Sequence, residues 1–280
     1  MIDRLIESAA KAIPIEAGDY QRDGLWYCGK CNTPKQCVIT FDGVERRPMC
    51  MCKCRREAWD AAEAQNKIDR RNAKINQMRE AGFEDAEMRR FTFAQDDGKN
   101  ARLTRIAQRY VDTFDTMLQN GKGLLFYGTV GTGKTFAAAC IANALIDKGI
   151  PCLMTNFARV TNIVSSIRDE RQKYLDGLNR YSLLVIDDLA SERETDYMVE
   201  MVQSVIDARY RARLPLIVTT NLTGEELKRP ADIRKERLYS RLFEMCLPVE
   251  VNGADRRKSQ LRRDMQKFGG LLGLNETGRG

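Results

Sequence analysis

Apolar residues fall into two rhythms along this 280-residue chain. Runs that are apolar almost throughout, at 123–127, 150–155, 183–188 and 214–221, read as short strands buried on both faces. Between them, 136–145, 158–174 and 196–213 carry apolar positions at helical spacing. Upstream, Leu103, Ile106, Ala107, Tyr110, Val111, Phe114 and Leu118 predict one helix over 101–118 with a single face on a sheet. Buried strands that alternate with helices imply an α/β domain, a parallel sheet covered on both faces, assigned to 91–267. Residues 55–80 are rich in Ala, Glu, Lys, Arg and Gln and lack Pro and Gly, and their apolar residues are too sparse for a core-facing stripe. They predict an exposed helix that Gly82 ends, within a connector over 55–90. The aromatic residues of 83–93 either pack beside a bound base or anchor the link on the domain. Residues 1–54 form a separate module, and 268–280 a flexible tail. No repeat period appears, nor any run of about 18 apolar residues, so no membrane span is expected.

Composition changes this picture in two places. Lys and Arg number 46 against 39 Asp and Glu, a net charge of +7, and the basic excess gathers after Arg229, where Arg256, Arg257, Lys258, Arg262, Arg263 and Lys267 crowd together. That tail predicts salt-sensitive, sequence-tolerant binding of single-stranded DNA; a merely solvated tail is the alternative. Six of the nine cysteines lie between Cys28 and Cys54. Trp26, Tyr27 and Val38 cannot bury enough surface to fold this stretch, and a tetrahedral Zn²⁺ held by thiolates would supply the stability. Cys28-Gly29-Lys30-Cys31 presents two ligands on one turn, while the spacing leaves the second pair open among Cys37, Cys50, Cys52 and Cys54. No signal segment is expected, and the thiols are read as reduced, in a cytoplasmic protein. Cys140, Cys152 and Cys246 read as small core residues. Arg46, Arg47, Lys53, Arg55 and Arg56, with Trp26, Tyr27 and Phe41 nearby, suit either a nucleic acid or a protein surface.

Gly128-Thr129-Val130-Gly131-Thr132-Gly133-Lys134-Thr135 match the phosphate-loop pattern GxxxxGK[ST] at every fixed position, between a strand and a helix that opens at Phe136. A triphosphate requires several backbone N–H groups turned to one point, and glycines allow that bend. Lys134 would reach the outer phosphates, Thr135 would offer its hydroxyl to Mg²⁺, and the helix would point its positive end at the anion. The expected ligand is ATP with Mg²⁺. Asp187 and Asp188 end an apolar strand at the same sheet edge, where Asp187 would orient Mg²⁺ and Asp188 would polarise the attacking water. Asn221, ending the next strand, would hold that water from the other side. Arg237 and Arg241 stand one turn apart on a predicted helix, free to reach a neighbouring subunit.

This order of parts resembles the AAA+ ATPases. Within them, roughly 91–267 is similar to the DnaC/DnaI type of helicase loader and to the IstB-type transposition ATPase. The resemblance implies a strand order of 5-1-4-3-2, a sensor role for Asn221, and an arginine finger in 235–242, with Arg241 favoured over Arg237. It also implies a second sensor at Arg257, with Arg256 a close rival. The zinc module of phage-type loaders selects Cys28, Cys31, Cys52 and Cys54 as ligands. The implied function is loading of a replicative ring helicase onto DNA in a bacterial or phage-infected cell, with ATP hydrolysed in a ring or helical oligomer bound to single-stranded DNA. The amino-terminal region would grip the helicase; a helper of DNA transposition is the alternative. Two departures stand out. Asp187-Asp188 replaces the Asp-Glu of many AAA+ proteins, which implies a shorter reach and slower turnover, and the stretch after Val251 is too small for a four-helix lid.

Overall fold

A computed structural model describes residues 13–41, 43–167, 170–189, 196–230, 232–269 and 271–272. Residues 1–12 of the amino-terminal module and most of the 268–280 tail lie outside the described residues. The chain divides into two compact units, Met1–Ala73 and Lys74–Gly280, with the division inside the helix read as a connector.

The first unit holds two antiparallel hairpins, β1 (Tyr20–Arg22) with β2 (Leu25–Tyr27) and β3 (Ile39–Phe41) with β4 (Val44–Arg46). Little of it is apolar interior: Cys28 and Cys52 are buried, whereas Val38 is half exposed. Its largest fully buried side chain is that of Lys35, whose ammonium pairs with the Asp19 carboxylate and donates to the Pro14 carbonyl at 2.8 Å. Asp19 also accepts from the backbone N–H groups of Glu16 and Gly29, and the Lys35 contact holds its carboxyl down at about 2. A buried ion pair of this kind ties the incoming chain to the cysteine turn. Helix α1 (Lys53–Gly82) begins two residues earlier than the composition suggests, which places Cys54 in its first turn.

The second unit is a five-stranded parallel sheet in the order β6-β7-β8-β5-β9, made of β5 (Gly123–Tyr127), β6 (Cys152–Asn156), β7 (Leu183–Leu189), β8 (Leu216–Thr220) and β9 (Cys246–Glu250). Numbered within the sheet this is 5-1-4-3-2. Alternate residues of each strand feed two cores. Leu125, Leu184, Ile186, Leu216 and Val218 face one side, packed on α5 (Phe157–Ser166), α6 (Arg171–Leu178), α7 (Asp196–Arg211) and α9 (Ile233–Met245). Leu124, Phe126, Leu183, Val185 and Ile217 face the other, packed on α2 (Ala101–Asp112), α3 (Phe114–Gln119) and α4 (Lys134–Asp147). Burial on both faces explains why the strands read as unbroken apolar runs. Cys140, Cys152 and Cys246 are buried in these layers, and burial pushes the Cys140 and Cys246 thiols up to about 12.

Three expectations need correction. The single helix over 101–118 is two, broken at Thr113, whose hydroxyl donates to the Arg109 carbonyl at 2.8 Å and whose backbone leaves helical values. The single helix over 158–174 is also two, α5 and α6; Ser165 and Ser166 donate to carbonyls three residues back at the end of α5, and Ile167 is no longer helical. The connector is exposed along most of its length, but Ile75 and Met78 at its far end pack against the second core. At Gly82 any Cβ would lie 2.4 Å from the Cys152 carbonyl oxygen, so only glycine permits this approach to β6.

One element lay beyond the sequence reading. Arg209 of α7 is fully buried and donates to four carbonyls, those of Leu178, Tyr181, Ser182 and Pro215, at 2.6–3.3 Å. Its guanidinium closes strand ends that would otherwise leave carbonyls dry, and burial pushes its pKa down to about 10.

Candidate nucleotide site and cysteine cluster

At the carboxyl edge of the sheet a cavity of about 550 Å³ opens between the turn after β5, the tips of β7 and β8, the start of α10 (Arg256–Gly269) and the segment 85–97. The turn is the phosphate loop. Gly128, Gly131 and Gly133 all have positive φ. Gly131, with φ of 75°, adopts the left-handed backbone that favours glycine, and it lies against the Asp255 side chain. Val130, Gly131, Thr132, Gly133, Lys134, Thr135 and Phe136 line the cavity. Gly128 and Thr129 act from behind it, their carbonyls accepting the Lys134 ammonium at 2.8 and 2.7 Å. Lys134 is 6% exposed, and burial lowers its pKa against the pull of the Asp188 and Asp187 carboxylates. A buried ammonium that is held only by neutral carbonyls is set to receive an anion.

The acidic strand tip is more elaborate than an apolar run with two acids. Three residues of β7, from Ile186 to Leu189, advance against two of β8, from Val218 to Thr220, which is a β-bulge. Asp188 sits in it with φ of 57°, a left-handed conformation that Asp adopts more readily than most residues. Thr219 secures the bulge: its hydroxyl accepts from the Asp188 N–H at 3.0 Å and donates to Asp187 Oδ1 at 2.6 Å. Thr135 donates to the same oxygen at 2.9 Å. Burial raises the Asp187 pKa against those two hydroxyl donors. Asn221 Nδ2 donates to Asp188 Oδ1 at 3.0 Å. Thr135 and Asp187 thus stand together where a phosphate-bound Mg²⁺ would be held, and the Asp188–Asn221 pair lines the same cavity. Thr219, which belongs to the cavity lining, was not anticipated.

A second unanticipated residue shapes the open end. Asn143, buried in α4, donates its amide to the carbonyls of Met88 and Phe91 at 2.9 and 3.0 Å. Arg89 doubly donates to the Phe83 carbonyl. Phe83 itself is core, whereas Phe91 lines the cavity with its ring 5.2 Å from that of Phe136. Phe83 thus anchors the link on the domain, and Phe91 contributes to the cavity lining. The signal for Asn143 was present, as a lone polar residue in an apolar helix.

Arg256 and Arg257 both line the cavity. Arg256 pairs with Asp97 at 3.1 Å and Asp96 at 3.7 Å and lies over Gly133, whereas no partner competes for the Arg257 guanidinium among the contacts described. Arg237 and Arg241 lie on α9, outside the cavity lining. Arg241 is held at the surface by Asp207 at 3.3 Å and Glu244 at 3.4 Å, with its guanidinium 4.0 Å from the Tyr210 ring centre; Arg237 is exposed.

In the first unit the sulfurs of Cys28, Cys31, Cys52 and Cys54 all lie within 4.8 Å of one another. Cys28–Cys54 and Cys52–Cys54 are separated by 3.7 and 3.5 Å. A tetrahedral Zn²⁺ with 2.3 Å bonds sets its sulfurs about 3.8 Å apart, so the four residues fit that ion. The Thr33 hydroxyl draws the Cys31 thiol down to about 5, while the hydrogen bond with Cys52 pushes Cys54 up to about 12. Cys37 and Cys50 turn to the carbonyls of Pro48 and Pro34 instead.

Fold and cavity together define an AAA+ ATPase. The chain belongs to the family described as IstB-like ATP binding protein, whose model matches residues 57–264. It is 22% identical over 244 residues to the replicative helicase loader DnaI of Bacillus subtilis (strain 168), covering 82% of this chain and 78% of that one. It is 29% identical over 143 residues to the replicative helicase loader DnaC of Escherichia coli (strain K12), covering 49% of this chain and 55% of the relative, so the match spans about half of DnaC. A crystal structure of the DnaC helicase loader superposes with a TM-score of 0.53 at 26% identity, over 60% of this chain and all of that one. Among the described residues no helix is long and apolar enough to cross a membrane.

Proposed function

We propose that this chain loads a replicative ring helicase onto DNA, hydrolysing ATP within an oligomer bound to single-stranded DNA. The observation that carries the reading is the convergence on one cavity of Lys134, the Thr135–Asp187 pair and the Asp188–Asn221 pair, in a chain that resembles two helicase loaders over much of its length. ATP would enter with its phosphates on the loop N–H groups and Lys134, and with its base against Phe91, Phe136 and Met88. Thr135 and Asp187 would hold Mg²⁺, which would neutralise charge on the phosphate oxygens. Asp188 accepts a proton from, or polarises, the attacking water, which Asn221 positions. Arg257 completes the cavity from its own subunit. The arginine finger comes from the next one, because neither Arg237 nor Arg241 lines its own cavity. We assign it to Arg241, whose head Asp207 and Tyr210 already hold at the surface. The basic face of α10 takes the DNA backbone.

In the amino-terminal unit Cys28, Cys31, Cys52 and Cys54 hold Zn²⁺, and the module grips the helicase. The exposed hairpin β3–β4 offers a surface for this: Phe41 and Val44 are cross-strand partners, Ile39 lies on the same face, and all three are 40–53% exposed.

Pull-down with the intact chain and with a version lacking residues before Ala81 tests the reading. Recovery of a ring helicase only by the intact chain is the expected result. Recovery of a transposase instead, with preference for duplex DNA, would move the chain to the transposition class. The finger is tested separately: Arg241→Ala is expected to leave ATP binding by the monomer unchanged and to lower assembly-stimulated hydrolysis by roughly 10³-fold. Unimpaired stimulation would reassign the role to Arg237.

A further inference from the structure

Helix α10 carries an apolar stripe that its own subunit leaves uncovered. Leu261, Met265 and Phe268 follow one another at intervals of four and three residues, and they are 62%, 47% and 46% exposed. Arg262 and Lys267 flank the stripe. A phosphate backbone has no use for such a surface, so the DNA-binding role of the basic face leaves the stripe unexplained.

A complementary surface exists elsewhere on the same unit. Between α8 (Gly224–Lys228) and α9 lies an open groove of about 480 Å³, lined by Leu227, Pro230, Ser240 and Phe243 together with Lys228, Glu236 and Glu244. The apolar side chains of Leu227, Pro230 and Phe243, with the Glu236 carboxylate beside them, match an apolar stripe with a basic flank. Location adds a further constraint. Helix α10 starts at the nucleotide cavity, where the Arg256 N–H donates to the Gly131 carbonyl at 2.9 Å and Arg257 lines the wall. The groove runs along α9, the helix that carries Arg237 and Arg241.

We infer that α10 of one copy seats Leu261, Met265 and Phe268 in the α8–α9 groove of a second copy, with Arg262 facing Glu236. The second copy's α9 is thereby brought beside the first copy's triphosphate cavity. The two surfaces differ, so the contact is heterologous and repeats head to tail, giving a ring or an open helix. This inference rests on the reading that the finger acts between subunits, and it names the contact that delivers it.

The test uses the full chain with ATP and Mg²⁺ and without DNA. A photo-crosslinking residue in place of Met265 is expected to give a ladder of covalent oligomers, with the crosslink mapped by mass spectrometry to the α9 peptide containing Phe243. Arg262→Glu is expected to raise the concentration needed for assembly in sedimentation by at least about tenfold, and adding Glu236→Arg to restore it. ATP binding by the dissociated chain should remain unchanged in all of these variants, which shows that they fold. Crosslinks confined to other surfaces, or a double variant that stays dissociated, would overturn the docking. If the crosslink and the charge exchange both hold while Arg237→Ala and Arg241→Ala leave stimulated turnover intact, the docking stands and the intersubunit finger is wrong.

Discussion

Lys134→Ala is expected to remove ATP binding, as read by fluorescence of a labelled nucleotide with Mg²⁺ present. The ammonium is the one buried cation in the phosphate loop, and its two carbonyl partners carry no charge. Contacts with phosphate oxygens would replace them by charge-assisted bonds of about 1.5–3 kcal/mol each, so losing two weakens binding by roughly 10²- to 10⁴-fold. The contrasting variant is Asp188→Asn. An amide keeps the size and tolerates the left-handed backbone of the bulge, so binding should persist, but it cannot take up a proton or carry negative charge toward water, so turnover should stop. Equal retention of binding by both variants would remove the lysine from the site as described. Equal turnover in the Asn variant and the unmodified chain would remove Asp188 from the chemistry.

The second large effect concerns the amino-terminal unit. Stoichiometric zinc is expected in purified protein, and Cys28→Ser or Cys54→Ser should abolish it, with residues 13–54 becoming rapidly cleaved in limited proteolysis. That unit has few apolar side chains to hold it, and four thiols within 4.8 Å gain a shared partner only from a cation. ATP binding by the second unit should survive, because no cysteine of the cluster lines the nucleotide cavity. Cys37→Ser and Cys50→Ser should retain the metal, since their thiols point to carbonyls of Pro48 and Pro34. Zinc loss in either of those variants would redraw the ligand set.

How far these sites could be read from sequence depended on whether their parts are contiguous. The phosphate loop is one unbroken segment whose residue types each have a mechanical reason, so every member could be named in advance. Asp187, Asp188 and Asn221 were legible because each ends an apolar run, and strand ends of a parallel sheet share one edge. Thr219 was not, because a threonine within a strand is what β-propensity alone predicts, and its role as a bridge between two acids exists only once β7 and β8 are in register. Arg209 escaped for a similar reason: an arginine on an amphipathic helix reads as solvated, and the four carbonyls that hold it come from segments remote in the chain. The helix breaks at Thr113 and after Ser166 coincide with hydroxyl-to-carbonyl bonds at the helix ends, which periodicity does not register. Cysteine spacing could not choose the second ligand pair. In the structure the start of α1 at Lys53 places Cys52 and Cys54, rather than Cys37 and Cys50, beside the Cys28–Cys31 turn.

The kinked tip of β7 has a bearing on the length of the acid it carries. In an unbulged strand a residue after Asp187 would alternate to the far face, and only a long side chain could work its way back to the γ-phosphate. The extra residue between Ile186 and Leu189 removes that demand, because the main chain itself carries Asp188 to the cavity wall. Backbone shape thus stands in for the methylene by which aspartate is shorter than glutamate.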